Sequence, residues 1–189
     1  MSASPLTLEE SQIIREKTAK PLLWGGMVSI VMLFAGLTSA LIVRRSEANW
    51  MQFEFPQAFY LSTALIFISS ITLIYATRSA RVNNLSGIKI GVGLTLLLGI
   101  WFVFTQISAY RELVDAGVFF GGSQSNASGS FMYVLTGLHL AHLLGGIIVL
   151  IVVFIKSLLL KYSSVNILGL QLCSIYWHFL DVLWIYLFL

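Results

Sequence analysis

The chain has 189 residues, of which 58% are hydrophobic and only 10% charged, and its formal net charge is +3 at neutral pH. Soluble domains carry roughly 25% charged residues, so a water-soluble globular domain is excluded, and no segment is large enough to form a separate one. No basic stripe interleaved with aromatics occurs, which argues against nucleic-acid binding.

Residues 1–20 read as a cytoplasmic N-terminal lead. Thr7 and Glu10 stand at capping-box spacing. Leu8, Ile13 and Ile14 give the lead an apolar side suited to a membrane surface, a partner, or a frayed helix. Pro21 suits the first turn of a helix, where its missing N–H costs nothing. From there, five apolar windows approach the ~20 residues that a bilayer crossing takes. They predict helices over about 22–43, 57–77, 87–110, 131–155 and 170–189. Residues 21–189 are thus expected to be one all-α domain, an integral-membrane bundle of five transmembrane helices. No cleavable signal is expected, because the lead is polar and no small-residue cleavage site follows the first apolar run. The Gly-, Ser- and Asn-rich stretch up to Ser130 reads as a loop outside the hydrocarbon. Its sequon at Asn126-Ala127-Ser128 is too short a pattern to carry weight.

Orientation follows from the basic residues. Arg15, Lys17, Lys20, Arg78, Arg81, Lys89, Lys156 and Lys161 fall on one side, against Arg44, Arg45 and Arg111 on the other. The N-terminus is expected in the cytoplasm and the C-terminus outside. Small residues at one-turn spacing let helices approach closely in lipid. Gly87, Gly91, Thr95 and Gly99 form such a row on the third helix, and Gly137, Ala141 and Gly145 on the fourth. Gly25, Ser29 and Gly36 form a looser row on the first, and Ser62, Thr63, Ser69, Ser70 and Thr72 serve the second. Cys173, the single cysteine, reads as a packing residue.

The polar residues at membrane depth are the candidates for function. All three histidines, His139, His142 and His178, lie inside apolar runs, as do Trp177 and Asp181. A carboxylate at mid-membrane costs about 2.5–3.5 kcal/mol on insertion scales and needs a partner or a task. With a rise of ~1.5 Å per residue, His142 comes level with His178, and His139 lies near the level of Asp181. If the last two helices are neighbours, these side chains can form one hydrogen-bonded cluster. Its readings are a structural lock, a lipid or subunit contact, or a single b-type haem ligated by two imidazoles. A proton path would need acidic groups along the bilayer, and the first two helices have none.

Tyr176-Trp177-His178-Phe179-Leu180-Asp181-Val182-Leu183-Trp184 closely resembles the terminal helix of subunit III of haem–copper oxidases. Thr136-Gly137-Leu138-His139-Leu140-Ala141-His142 is similar to that family's TGxHGxH segment, and Val31 to Leu37, Thr63 and Ser69-Ser70 also fit. The length matches the family's short five-helix bacterial form. The resemblance implies an accessory, non-catalytic subunit of a proton-pumping terminal oxidase, a cytochrome c oxidase above all, in a bacterial plasma membrane. It implies no catalytic, metal or cofactor-binding residue in this chain, with haems and copper held by partner subunits. The partners it implies are catalytic subunit I, other oxidase subunits and phospholipid, with a respiratory supercomplex as a wider setting. In longer members a cleft holds phospholipid. Two departures stand out: Ile30 occupies the position of a frequent family glutamate, and Leu140 replaces a glycine. Quinol oxidases and proteins associated with nitric-oxide reductases have similar third subunits. A haem b electron-transfer protein and a transporter are the readings from other classes.

Overall fold

The computed structural model describes residues 8–46, 57–122, 126–159 and 167–188, and among these there is no β-strand. The five helices are α1 (Leu8–Arg45), α2 (Gln57–Arg81), α3 (Leu85–Asp115), α4 (Ala127–Leu158) and α5 (Leu168–Phe188). Each contains a stretch long and apolar enough to cross a membrane, in α1 from Lys17 onward. The chain is a five-helix, multi-pass membrane bundle.

Most helices run past the ends that hydropathy marks, because apolarity reports only the segment inside the hydrocarbon. A helix that has paid its nucleation cost continues through polar helix formers such as Arg111 and Glu112 until the backbone is redirected. Two redirecting signals are visible. At Asn83 the backbone turns left-handed (φ 55). The Asn84 N–H bonds Ser79 O at 2.9 Å and the Asn83 N–H bonds Ala80 O at 3.2 Å. Gly117 (φ 77) closes α3 by the same pair of bonds, Val118 N–H to Leu113 O and Gly117 N–H to Val114 O. Asn84 then caps α3 through its side chain, which accepts from the Gly87 N–H at 3.1 Å. Asn126, the sequon residue, caps α4 by accepting from the Ser128 N–H at 3.2 Å.

The start of α1 differs from expectation. Thr7 lies outside the described residues, but the helix is already formed at Leu8 and passes straight through Pro21. One intrahelical bond is missing there, which membrane helices tolerate, and good helix formers stand on both sides (Lys17, Ala19, Leu22, Leu23).

Helices α2, α3, α4 and α5 form a closed ring in which each touches the next, and α5 returns to α2. Helix α1 stays outside the ring and contacts only α4 and α5 among the described helices. Of its described residues only Met27 and Phe34 are buried. Phe34 makes a small cluster with Leu135 and Leu183, packed by Ile30, Leu37 and Leu138. Ile30 is therefore an apolar contact holding α1 to its neighbours.

The tightest seam joins α2 and α3, antiparallel across their three-residue turn. Lipid supplies no hydrophobic drive between helices, so close approach and hydrogen bonds must hold them. A Cβ added at Gly91 would stand 2.7 Å from Ala76 Cβ and 2.9 Å from Thr72 O, and one added at Gly87 would collide with Ser79 Oγ. The Thr72 and Thr95 hydroxyls meet at 2.8 Å, as do those of Ser62 and Thr105. Gln106 is buried and donates to Ser62 Oγ at 3.0 Å. Its Oε1 already lacks a partner among the described residues, so Ser62→Ala would strand the whole amide. We expect a loss of about 1–2 kcal/mol, read by reversible unfolding in mixed micelles. A neutral result would show that the seam rests on packing alone.

The small-residue row of α4 is corrected by one position. Gly145 and Ala141 are exposed, nothing lies within 4 Å of a Cβ built at Gly145, and one at Gly137 would meet only Tyr110 Oη at 3.9 Å. The close approach falls on Gly146, where a Cβ would stand 3.2 Å from Leu180 and 3.4 Å from Trp177. The spacing found a row of small residues but not its rotation about the helix axis. Likewise, none of the described residues comes within 4 Å of a Cβ built at Gly25 or Gly36 of α1.

Candidate functional site

The polar side chains of α5 are anchored on α2. Trp177 Nε1–H donates to Ser69 Oγ at 3.0 Å, and Trp184 Nε1–H donates to Thr63 Oγ1 at 3.0 Å. His178 Nδ1 meets Ser70 Oγ at 2.7 Å and lies 3.5 Å from Asp181 Oδ2. Ser69 and Thr63 in turn bond carbonyls of their own helix, Ile66 O and Phe59 O, so their protons are already committed and their lone pairs receive the indoles. Hydroxyls suit this role, being short enough for close helix packing while supplying an acceptor in a medium without water.

The histidines of α4 turn elsewhere. His139 is fully buried, and its Nε2–H donates to the backbone oxygen of Leu180 at 3.1 Å. Its ring centroid lies 5.1 Å from Trp184 and 6.0 Å from Phe102. His142 donates from Nδ1 to Leu138 O of its own helix at 2.7 Å, and its ring lies 5.9 Å from Phe34 of α1. A carbonyl can only accept, so these bonds place the proton on Nε2 of His139 and on Nδ1 of His142. His139 comes to the level of Leu180, and Tyr176 donates to His142 O at 3.2 Å.

The single expected cluster is therefore divided. His178 and Asp181 meet, with Ser70 as third member and Trp177 beside them on Ser69, whereas no hydrogen bond joins either α4 histidine to them. The reason is angular. On α5, Trp177, His178, Asp181 and Trp184 lie on the side toward α2, while Tyr176 and Leu180 lie toward α4. A short connection between α4 and α5 suggests their adjacency, but nothing local announces that α2 closes the ring on the other side. In the sequence, Ser69, Ser70 and Thr63 thus show only as small packing residues that also fit the family resemblance, with no sign of which side chains they bind.

Two facts limit the chemistry. Ser70, His178 and Asp181 have the composition of a nucleophilic triad, yet hydroxyl and carboxylate both address Nδ1. A triad needs them on opposite ring nitrogens. Both Asp181 oxygens are buried without a hydrogen bond among the described residues, as is His139 Nδ1. The arrangement is suited to locking helices and to meeting a further polar group, not to bond cleavage.

The family model for cytochrome c oxidase subunit III matches residues 48–189. That span takes in α2 to α5 and with them every polar contact described above. The chain belongs to the cytochrome c oxidase subunit III family. Among its relatives, the "Probable cytochrome c oxidase subunit 3" of Nocardia farcinica is 33% identical over 165 residues, covering 85% of this chain and 80% of that protein. The "Cytochrome c oxidase subunit 3" of Bacillus sp. (strain PS3) is 28% identical over 162 residues, covering 83% and 76%. The human protein of the same name is 30% identical over 131 residues, which is 68% of this chain and 47% of the human one. In this subunit III the terminal-helix motif is read out as a row of contacts to α2, and the histidine motif of α4 as contacts to α5 and α1.

Proposed function

We propose that this chain is an accessory, non-catalytic third subunit of a proton-pumping oxidase that takes electrons from cytochrome c. It sits in a bacterial plasma membrane with its N-terminus in the cytoplasm. The haems and copper belong to partner subunits, catalytic subunit I above all, and this chain brings no redox group of its own. Its bundle shields the flank of the catalytic subunit, orders lipid and water there, and sustains proton uptake through many turnovers. Membership of the subunit III family across α2 to α5 carries this reading. The orientation rests on the lysine and arginine asymmetry, and the electron donor on the names borne by the relatives.

Asp181→Leu in the purified complex tests the proposal. The initial rate of oxygen consumption is expected to stay near that of the parent, while the number of turnovers before inactivation, or the yield of assembled complex, falls several-fold. Immediate loss of oxygen reduction in a fully assembled complex would count against an accessory role. So would a Soret band stoichiometric with this chain purified alone.

A further inference from the structure

His178 lies ten residues from either end of α5, about 15 Å from both at the helical rise. It therefore stands at the middle of this membrane-crossing helix. Its Nδ1 is engaged by Ser70 and Asp181, and among the described residues its hydrogen bonding goes through Nδ1 alone. The side chain keeps 31% of its surface open.

The opening is a groove. Helices α1 and α2 both pack on α5, while their described backbones stand apart from each other, so a channel runs between them with α5 as its floor. Gln171, Ile175, His178 and Val182 share that floor by helical spacing, and Val182 is 66% exposed. Phe67 and Ile74, one turn to either side of Ser70, are exposed along the α2 wall. At one end the groove widens into a pocket of about 320 Å³ shared by α1, α2 and α5. Its lining includes Lys20, Arg81, Gln171 and Ser174.

We propose that this groove receives a transmembrane helix of another subunit, which brings a hydroxyl or amide side chain (Ser, Thr, Asn or Gln) against His178 Nε2. An acyl chain offers nothing to a ring nitrogen at this depth, whereas a helix can carry a hydrogen-bonding group there with its own backbone satisfied. Hydroxyls and amides can donate or accept, so they match either tautomer of the imidazole. Gln171 and Ser174 in the pocket suit polar residues where that helix leaves the hydrocarbon. The proposal rests on the reading of this chain as a subunit, and it adds the face that docks.

The test places a photo-crosslinking residue at Val182 in the assembled complex, with a second at Phe104 on α3, equally exposed at 64%. An adduct between Val182 and a transmembrane segment of another subunit is the expected result. In parallel, His178→Leu should lower retention of this chain in the complex roughly three- to tenfold, and His178→Gln should restore it. If Val182 labels only lipid while Phe104 labels a partner polypeptide, the chain is a subunit but docks elsewhere, and the proposal is overturned. If neither position labels a polypeptide, the subunit reading falls with it.

Discussion

Gly91→Leu is expected to pry α2 from α3 and to cost about 3 kcal/mol, the upper part of the usual range for overpacking. A side chain there has nowhere to go. Its first atom would stand 2.7 Å from Ala76 Cβ, 2.9 Å from Thr72 O and 3.0 Å from Ala76 Cα. Two of those three neighbours are backbone atoms, which cannot rotate aside, and the shift would also part Thr72 from Thr95. Reversible unfolding in mixed micelles measures the loss. Gly145→Leu is the control, since nothing lies within 4 Å of its Cβ position, and the isolated chain should tolerate it with little change. Ala76→Gly should recover part of the Gly91→Leu loss by removing the nearest contact. Equal effects at positions 91 and 145 would mean that close approach is not what holds the seam.

The second large effect is expected at Trp177. Its ring fills the space left by two glycines: a Cβ at Gly99 would come 2.7 Å from Cη2, and one at Gly146 3.4 Å from Cε3. Trp177→Ala empties that space, and large aromatic truncations cost about 3–5 kcal/mol in water-soluble cores. The lower figure applies here, because on unfolding the ring is received by hydrocarbon instead of water. The indole hydrogen bond to Ser69 is the smaller part, since interhelical bonds average about 0.6 kcal/mol and reach about 1.7. Ser69→Ala and Trp177→Phe should each therefore cost far less than Trp177→Ala. If Ser69→Ala proved as damaging as the alanine at 177, the hydrogen bond and not the packing would be the main tie between α2 and α5.

These two sites show where sequence patterns carry structural information and where they stop. The row Gly87, Gly91, Thr95, Gly99 was legible because three of its members face neighbours too close for a Cβ and the fourth, Thr95, bonds across the seam. The row on α4 was legible only as a tendency. Gly145 and Gly146 are adjacent, and which one faces inward depends on the rotation of α4 against α5. Helix ends behaved similarly: apolarity marked the crossings, but α3 ended at the left-handed Gly117, beyond the last apolar window. Pro21, which suited a helix start, fell inside α1.

Composition and periodicity alone determined that this chain is an all-helical membrane protein with five crossings, because only a helix satisfies a single strand of backbone in hydrocarbon and each crossing demands a fixed run of apolar residues. The motifs on the last two helices likewise sufficed for the family. Which polar groups meet was decided by the tertiary structure. Hydrogen bonds at depth depend on which helices are neighbours and how each is rotated, and both follow from long-range packing that local sequence does not encode. The closing of the ring by α2 against α5 gave His178 to Ser70 and Asp181, turned His139 toward the α5 backbone, and left part of the His178 side chain exposed.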